Sequence, residues 1–341
     1  MLHFECDYLE GAHPRILERL AATNLDQTPG YGKDAHTTRA CELIREACAA
    51  PDAEVWLLVG GTQTNATVIR SVLRNYEGVI SPESGHITGH EAGAIEATGH
   101  KVITVPAVAG KLTVEGIESA WSKYANDHSP DFLVRPGMVY LSQPTELGTL
   151  YSLAELEAIS AACKRLGLPL FIDGARLGYG LASPACDMTL ADVARLADVF
   201  YIGGTKVGAM FGEAVVITNP AIMPHFRSTM KQAGAVLAKG RMLGIQFEVL
   251  FEDGLYMEVS RHAGRAAERI QNAFIRAGLS VPEPSSTNQV FVEVDEATMK
   301  RLESVCTFTH WAAKPDGRHV LRFVTSWATK PEDVDALVAA L

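Results

Sequence analysis

Val199-Phe-Tyr-Ile-Gly-Gly-Thr-Lys206-Val-Gly208 is the stretch on which the reading of this chain turns. Its apolar start predicts a buried strand. The glycines on either side of Lys206 let other backbone approach the lysine closely. One β-α-β unit earlier runs Leu168-Pro-Leu-Phe-Ile-Asp173-Gly-Ala-Arg176-Leu177, a second buried apolar run that ends in a charge. Taken singly, neither residue carries an argument. A strand-end lysine is commonly a solvated side chain, and Asp-Gly is commonly a turn. The information lies in the pair, in this order and at this spacing.

That pair is what pyridoxal phosphate chemistry requires. A lysine forms a Schiff base with the aldehyde, and an aspartate keeps the pyridine nitrogen protonated so that the ring can take up electrons.

Outward from this pair, apolar runs alternate with helical patterns between about residues 55 and 216. Strands are expected at Val55–Val59, Gly78–Ser81, Lys101–Val105, Met138–Ser142, Leu170–Asp173, Asp198–Ile202 and Gly212–Thr218, with helices at Thr64–Tyr76, Ala92–Thr98 and Ser152–Leu166. The alternation predicts an α/β fold: a mostly parallel sheet with helices on both faces. Ligands of such sheets lie outside the carboxyl ends of the strands, where Asp173 and Lys206 sit. From Pro220 to Gly278 the pattern is long and helical. It includes Met230–Ala235 and a helix through Glu258–Ile270. After it come alternating strands at Asn288–Val294 and His319–Thr325 and a closing amphipathic helix from Pro331 to Leu341. The expected division is a large domain with an N-terminal arm over 1–254 and a small α+β domain over 255–341.

Composition sets bounds. The chain has 341 residues, 47% hydrophobic and 21% charged, which suits a compact globular protein. A formal net charge of −10 argues against nucleic acid and anionic membranes as partners. No apolar run approaches the roughly 18 residues of a membrane span. The start, Met1-Leu-His-Phe-Glu-Cys-Asp7, lacks the basic and apolar regions of a signal peptide, so a cytoplasmic location is expected. The cysteines at 6, 41, 48, 163, 186 and 306 form no CxxC pair. They read mostly as reduced core residues, with Cys6 the possible exception.

Three further segments bear on chemistry. Gly60-Gly61-Thr62-Gln-Thr-Asn65 follows the first strand and opens a helix, which suits a single phosphate at free backbone N–H groups. A turn with a hydroxyl cap would look the same. The stretch is neither GxGxxG nor a P-loop, so a nucleotide is not expected. Ser84-Gly-His86-Ile-Thr-Gly-His90-Glu-Ala-Gly93 places two histidines at metal-ligand spacing. The glycines and the lack of a third ligand favour instead an imidazole stacked on a cofactor ring or acting as acid and base. Arg176 and Arg322 could each clamp a carboxylate through two parallel hydrogen bonds.

Together the segments Asp7-Tyr-Leu-Glu-Gly-Ala-His-Pro14, Tyr31-Gly-Lys-Asp34, Gly61–Asn65, His86–Gly93, Ser142-Gln-Pro-Thr-Glu-Leu-Gly-Thr149, Asp173–Leu177, Gly203–Lys206 and Arg322-Phe-Val-Thr-Ser326 resemble the threonine aldolase family of pyridoxal phosphate enzymes, its bacterial low-specificity branch in particular. The resemblance implies an aspartate-aminotransferase-like fold of type I. It implies Lys206 as the Schiff-base lysine, Asp173 on the pyridine nitrogen, Arg176 at the ring O3′, and Gly61 and Thr62 on the phosphate. His86 would stack on the ring near the substrate β-hydroxyl, and Arg322 would hold the α-carboxylate. Tyr31 and Lys231 would cross a dimer interface, the latter near the phosphate where relatives often carry arginine. Homodimers or homotetramers with shared sites are implied. Relatives commonly have serine where this chain has Cys6, and that serine helps to bind the substrate carboxylate. A thiol is a poorer partner.

The implied activity is retro-aldol cleavage of L-threonine, L-allo-threonine or a related β-hydroxy-α-amino acid to glycine and an aldehyde, with no metal. The alternatives on the same cofactor are a phenylserine-type aldolase, a β-eliminating lyase and a racemase. A non-catalytic binding protein on this fold is a further alternative, against which Lys206, Asp173, Arg176 and Arg322 stand together.

Overall fold

The computed structural model describes residues 1–341. Seven strands form its main sheet: β1 (Glu54–Leu58), β2 (Glu77–Pro82), β3 (Lys101–Val105), β4 (Arg135–Ser142), β5 (Leu170–Asp173), β6 (Val199–Gly203) and β7 (Glu213–Ile217). Their order across the sheet is β1-β7-β6-β5-β4-β2-β3. All neighbours from β6 to β3 are parallel. β7 runs antiparallel between β6 and β1. Its direction follows from its connection. Only residues 204–212 separate β6 from β7, too few for the crossover that a parallel neighbour needs.

β2, β5, β6 and β7 are buried at every position. Successive side chains alternate between sheet faces, so each strand feeds two cores. Leu170, Ile172, Phe200, Ile202, Ala214 and Val216 join the larger core. Phe171, Val199, Tyr201, Val215 and Tyr140 join the smaller one, with Val68 and Ile69 of the helix Gly61–Val72. Asp173 continues the Phe171 side and so points toward that helix.

A second sheet of three antiparallel strands, β8 (Gln289–Val294), β9 (Thr309–Ala313) and β10 (His319–Val324), has the order β9-β10-β8. The long helix Leu255–Arg276 and the closing helix Pro331–Ala339 cover it through Ile270, Phe274, Val334 and Leu337. The chain start belongs to this layer. Leu2–His3 pairs with Cys306–Thr307, and Phe4 is wholly buried among Phe274, Phe323 and their neighbours. These first residues, expected to form an arm of the large domain, have their apolar side chains buried by the small sheet. No helix is long and apolar enough to cross a membrane.

Several local expectations change. The helix expected at Thr64–Tyr76 starts at Gly61 and stops at Val72, where Leu73 turns extended. The helix expected at Ala92–Thr98 reduces to a single 3-10 turn, Glu96–Thr98. Ala92 and Gly93 have positive φ, which an α-helix cannot accommodate. The helical pattern at Met230–Ala235 ends at Gln232. Strand β9 and the helix Glu296–Glu303 were not expected. Besides Cys6, Cys186 is also only partly buried; the other four cysteines are core residues.

Candidate active site

The carboxyl ends of β1, β2, β4, β5 and β6 open on one edge of the sheet, and a cavity of about 280 Å³ lies there. Two glycines bring its central residues together. A Cβ at Gly174 would meet the Tyr201 carbonyl oxygen at 1.9 Å, and one at Gly203 would meet the Ala175 oxygen at 2.3 Å. Only glycine lets the ends of β5 and β6 approach so closely. Asp173 and Lys206 both line the cavity as a result.

Asp173 is held from four directions. Tyr201 Oη (2.5 Å) and the Ala175 N–H (3.0 Å) donate to Oδ1; Tyr140 Oη (2.7 Å) and Asn65 Nδ2 (3.0 Å) donate to Oδ2. Burial alone would raise its pKa, but the nearby His86 and these hydrogen bonds hold it below the usual carboxylate value. A permanently ionised, rigid carboxylate is what a protonated ring nitrogen needs opposite it.

Lys206 is half-buried and forms no ion pair; its Nζ lies 5.9 Å from the Tyr8 ring centroid. Burial and then the Arg176 charge lower its pKa, which favours the free amine that attacks a carbonyl. Glu213 faces the same space. It accepts from the Thr205 hydroxyl (2.8 Å) and the Gly204 N–H (3.3 Å), and burial pushes it up to about 8.

Arg176 lines the cavity, but its fork is already engaged. Nε and Nη2 donate to the two oxygens of Asp7 at 2.7 and 2.9 Å. Asn288 Nδ2 also donates to Asp7 (2.8 Å). Arg322 differs. It lies 4.9 Å above the Trp311 ring, donates weakly to Gln289 and Thr309 at 3.3 and 3.2 Å, and has no acidic partner. Its Nε is buried with nothing to bond to. Burial and the Arg176 charge lower its pKa. A guanidinium in that condition suits an incoming carboxylate.

The phosphate end is equally open. The helix Gly61–Val72 has Gly60 as its N-cap and no side-chain cap. A Cβ at Gly60 would meet nothing within 4 Å, and the Thr64 hydroxyl nearby is buried without a partner. Gly61 and Thr62 line the cavity here. Free N–H groups at the end of a full-length helix can take an anion. The residues present therefore fit a cofactor carrying a ring nitrogen, a carbonyl and a phosphate.

His86 opens a one-turn helix, His86–Gly89, at the cavity edge. Its Nδ1 lies 2.7 Å from Glu91 Oε1, and its backbone N–H donates to Glu146 Oε1 (2.9 Å). His90 stacks loosely beside it, ring centroids 5.8 Å apart. No group of three or more His, Cys, Asp or Glu is arranged to hold a metal ion.

Four expected residues do not line the cavity: Arg322, which stands beside Arg176 and Tyr8 at its edge, and Cys6, Tyr31 and Lys231, which stand elsewhere. Cys6 is half-buried and lines a neighbouring hollow of about 250 Å³ with Glu10, Ser326 and Lys330. Tyr31 and Lys231 lie together away from this chain's cavity, with Lys231 Nζ 4.9 Å from the Tyr31 ring centroid. Conversely, Asp7, Tyr8, Asn65, Glu91, Tyr140, Glu146, Tyr201 and Glu213 line or support the site without having been assigned a role. Their one sequence signal is polarity next to a strand end or a helix start.

The profile of the family described as Beta-eliminating lyase matches residues 4–297. The chain belongs to that family. A low specificity L-threonine aldolase of Pseudomonas sp. (strain NCIMB 10558) is 32% identical over 345 residues, covering 98% of this chain and 96% of the relative. The solved structure of Leishmania major threonine aldolase superposes with a TM-score of 0.96 at 45% identity, covering 99% of this chain and 98% of that one. Thermus thermophilus aspartate aminotransferase, a double mutant, shares the fold at 14% identity: TM-score 0.73, with 100% of this chain and 90% of that one covered. This member of the β-eliminating lyase family thus has the expected aspartate-aminotransferase-like architecture.

Proposed function

We propose that this chain is a pyridoxal-phosphate-dependent L-threonine aldolase, cleaving L-threonine or L-allo-threonine to glycine and acetaldehyde. One observation carries the reading: Asp173 and Lys206 line one cavity at the strand ends with an uncapped helix N-terminus, and Arg322, an arginine with no acid partner, lies beside Arg176 and Tyr8 at its edge. When bound, the cofactor supplies the electron sink for breaking the Cα–Cβ bond.

The chain's residues do the rest. Lys206 would hold the cofactor carbonyl through its amine and would give it up to the substrate amine. Asp173 keeps its charge beside the ring nitrogen. Gly61 and Thr62 present N–H groups to the phosphate. Arg322 would hold the substrate by its carboxylate and so fix its orientation in the site. His86 takes the β-hydroxyl proton as Cα–Cβ breaks, and a proton returned to Cα leaves glycine. Arg176, locked on Asp7, has its remaining N–H groups to turn toward the ring O3′. Tyr31 and Lys231 act in the site of a second copy, within a homodimer or homotetramer. Cys6 borders the carboxylate end. The composition supports a cytoplasmic enzyme, and Gly254 is the expected boundary between two domains.

β-Elimination is the second reading, since the matching family takes its description from it. Racemisation and phenylserine cleavage use the same site. The test is borohydride reduction of the cofactor-loaded protein followed by peptide mapping, with product analysis on L-threonine. The label should fall on Lys206, and the products should be glycine and acetaldehyde. A label on Lys231 or Lys239 would overturn the assignment. Ammonia with a keto acid would favour elimination.

A further inference from the structure

What stands behind His86 is a closed polar chain. Its Nδ1 meets Glu91 Oε1 at 2.7 Å, and Glu91 is fully buried while the His86 side chain is 38% exposed. Asn65 Nδ2 donates to the same Oε1 (2.7 Å) and also to Asp173 Oδ2 (3.0 Å). One amide nitrogen therefore holds two buried carboxylates. Glu91 Oε2 and Asn65 Oδ1 have no partner at all. His86 is the one basic group within ion-pair distance of Glu91.

We propose that Glu91, held in place by Asn65, is a positioning residue for His86: it fixes the proton on Nδ1 and turns Nε2 toward the substrate β-hydroxyl. The last clause rests on the aldolase reading; the link between Glu91 and His86 does not. An ionised carboxylate accepts hydrogen bonds and cannot donate them. The nitrogen facing Glu91 must then carry the proton, which leaves Nε2 as the acceptor in the neutral ring.

The surroundings of His86 set its charge. Asp173 at the end of β5, Glu146 after β4 and Glu91 itself face it as acids. Lys206 after β6 and the neighbouring His90 face it as bases, and Asn65 comes from the helix over 61–72. Burial pulls the imidazole down. The Glu91 hydrogen bond, with the Asp173 and Glu91 charges, outweighs burial and the opposing Lys206, so the net direction is upward.

The test is Glu91→Gln with two readouts. The first is the pH dependence of His86 carbethoxylation by diethyl pyrocarbonate in the cofactor-loaded protein without substrate, mapped by peptide. The wild-type midpoint should lie above the ordinary imidazole value of about 6.5. The substitution removes the negative charge, so the midpoint should fall by about one to three pH units. The second is the acid limb of kcat/KM for L-threonine, which should move the same way while its plateau drops about 10- to 100-fold. Glu91→Asp keeps the charge and should keep the midpoint near that of the wild type. An unchanged midpoint and acid limb in Glu91→Gln would overturn the proposal. If that variant does not fold, a wild-type midpoint below the ordinary value overturns it alone. A midpoint that shifts as expected in a protein that does not cleave threonine would uphold the positioning role and remove the aldolase reading.

Discussion

The floor of the cavity and its rim are built on opposite principles. On the floor, at the ends of β4, β5 and β6, Lys206 stands free but the carboxylates and Arg176 have their partners within the chain. Asp173 accepts four hydrogen bonds, and Asp7 closes on Arg176. At the rim, Arg322 has no acid and the helix at Gly61 has no cap. A satisfied polar group keeps its geometry without a ligand, whereas an unsatisfied one costs free energy until something binds. The difference separates the residues that define the shape of the site from those that receive what enters it. Changes on the floor should therefore harm folding or chemistry, and changes at the rim should harm binding.

The largest effect should come from Asp7→Ala. It leaves Arg176 buried without its countercharge, a loss of about 3–5 kcal/mol when one partner of a buried pair is removed. Urea unfolding should show it. The pH dependence follows from the sign of the Asp7 shift. Burial raises its pKa, but the Arg176 and Lys206 charges and the hydrogen bonds from Arg176 and Asn288 together outweigh burial and hold it below the ordinary value. The pair's stabilisation is thus present above about pH 4 and is lost as the pH falls through the lowered Asp7 value. The variant should lack that component of acid sensitivity. A variant as stable as the parent would place the floor's order elsewhere.

Next in size is Asp173→Asn. The amide can keep several of the four contacts but not the charge, so fold and cofactor should survive. Turnover should fall by about 10²-fold or more, the value of a charge-assisted bond at a buried site. Unchanged kcat would remove Asp173 from the chemistry and leave it a structural hub.

Arg322→Lys probes the rim. Lysine keeps the charge but loses the fork. Glycine and L-threonine binding should weaken by about tenfold or more, near 1.4 kcal/mol, with the absorbance of the cofactor-loaded protein unchanged. Should amino-acid affinity stay intact, the carboxylate is held by another group, and the contrast between floor and rim fails at its main example.

The same contrast explains what the sequence disclosed. Lys206, Asp173 and Gly61 could be found because each interrupts an apolar run at a strand end, a local signal. The pairing of Asp7 with Arg176 could not, because 169 residues separate them and nothing near either one names the other. Asn65 and Glu91 were equally hidden. Polar residues near a helix start or in a glycine-rich loop look like caps or solvated positions. β7 reads as a strand from composition, but its direction depends on the length of the turn before it. β9 is a partly exposed edge strand, Thr309–Ala313, whose apolar run of Trp311, Ala312 and Ala313 is too short to announce it. The false helix at Ala92–Thr98 failed on positive φ at Ala92 and Gly93. Periodicity does not register a glycine's backbone preference.

The smallest effect, and the finest test of the rim, concerns Cys6. Its thiol is half-buried, and burial pushes its pKa up, so at neutral pH it is an uncharged weak donor. It lines the hollow beside the cavity with Ser326 and Lys330, not the cavity itself. A serine there could donate to a carboxylate oxygen held by Arg322. Cys6→Ser should then tighten glycine and L-threonine binding by about 1 kcal/mol, the net worth of one hydrogen bond, and change the chemistry after binding less. Thiol labelling offers a check that needs no variant. A Cys6 that borders the bound amino acid should be alkylated slowly in the cofactor-loaded protein and be protected by glycine. Labelling indifferent to glycine, together with unchanged affinity in Cys6→Ser, would make Cys6 a packing residue of the N-terminal arm, and the rim would end at Arg322.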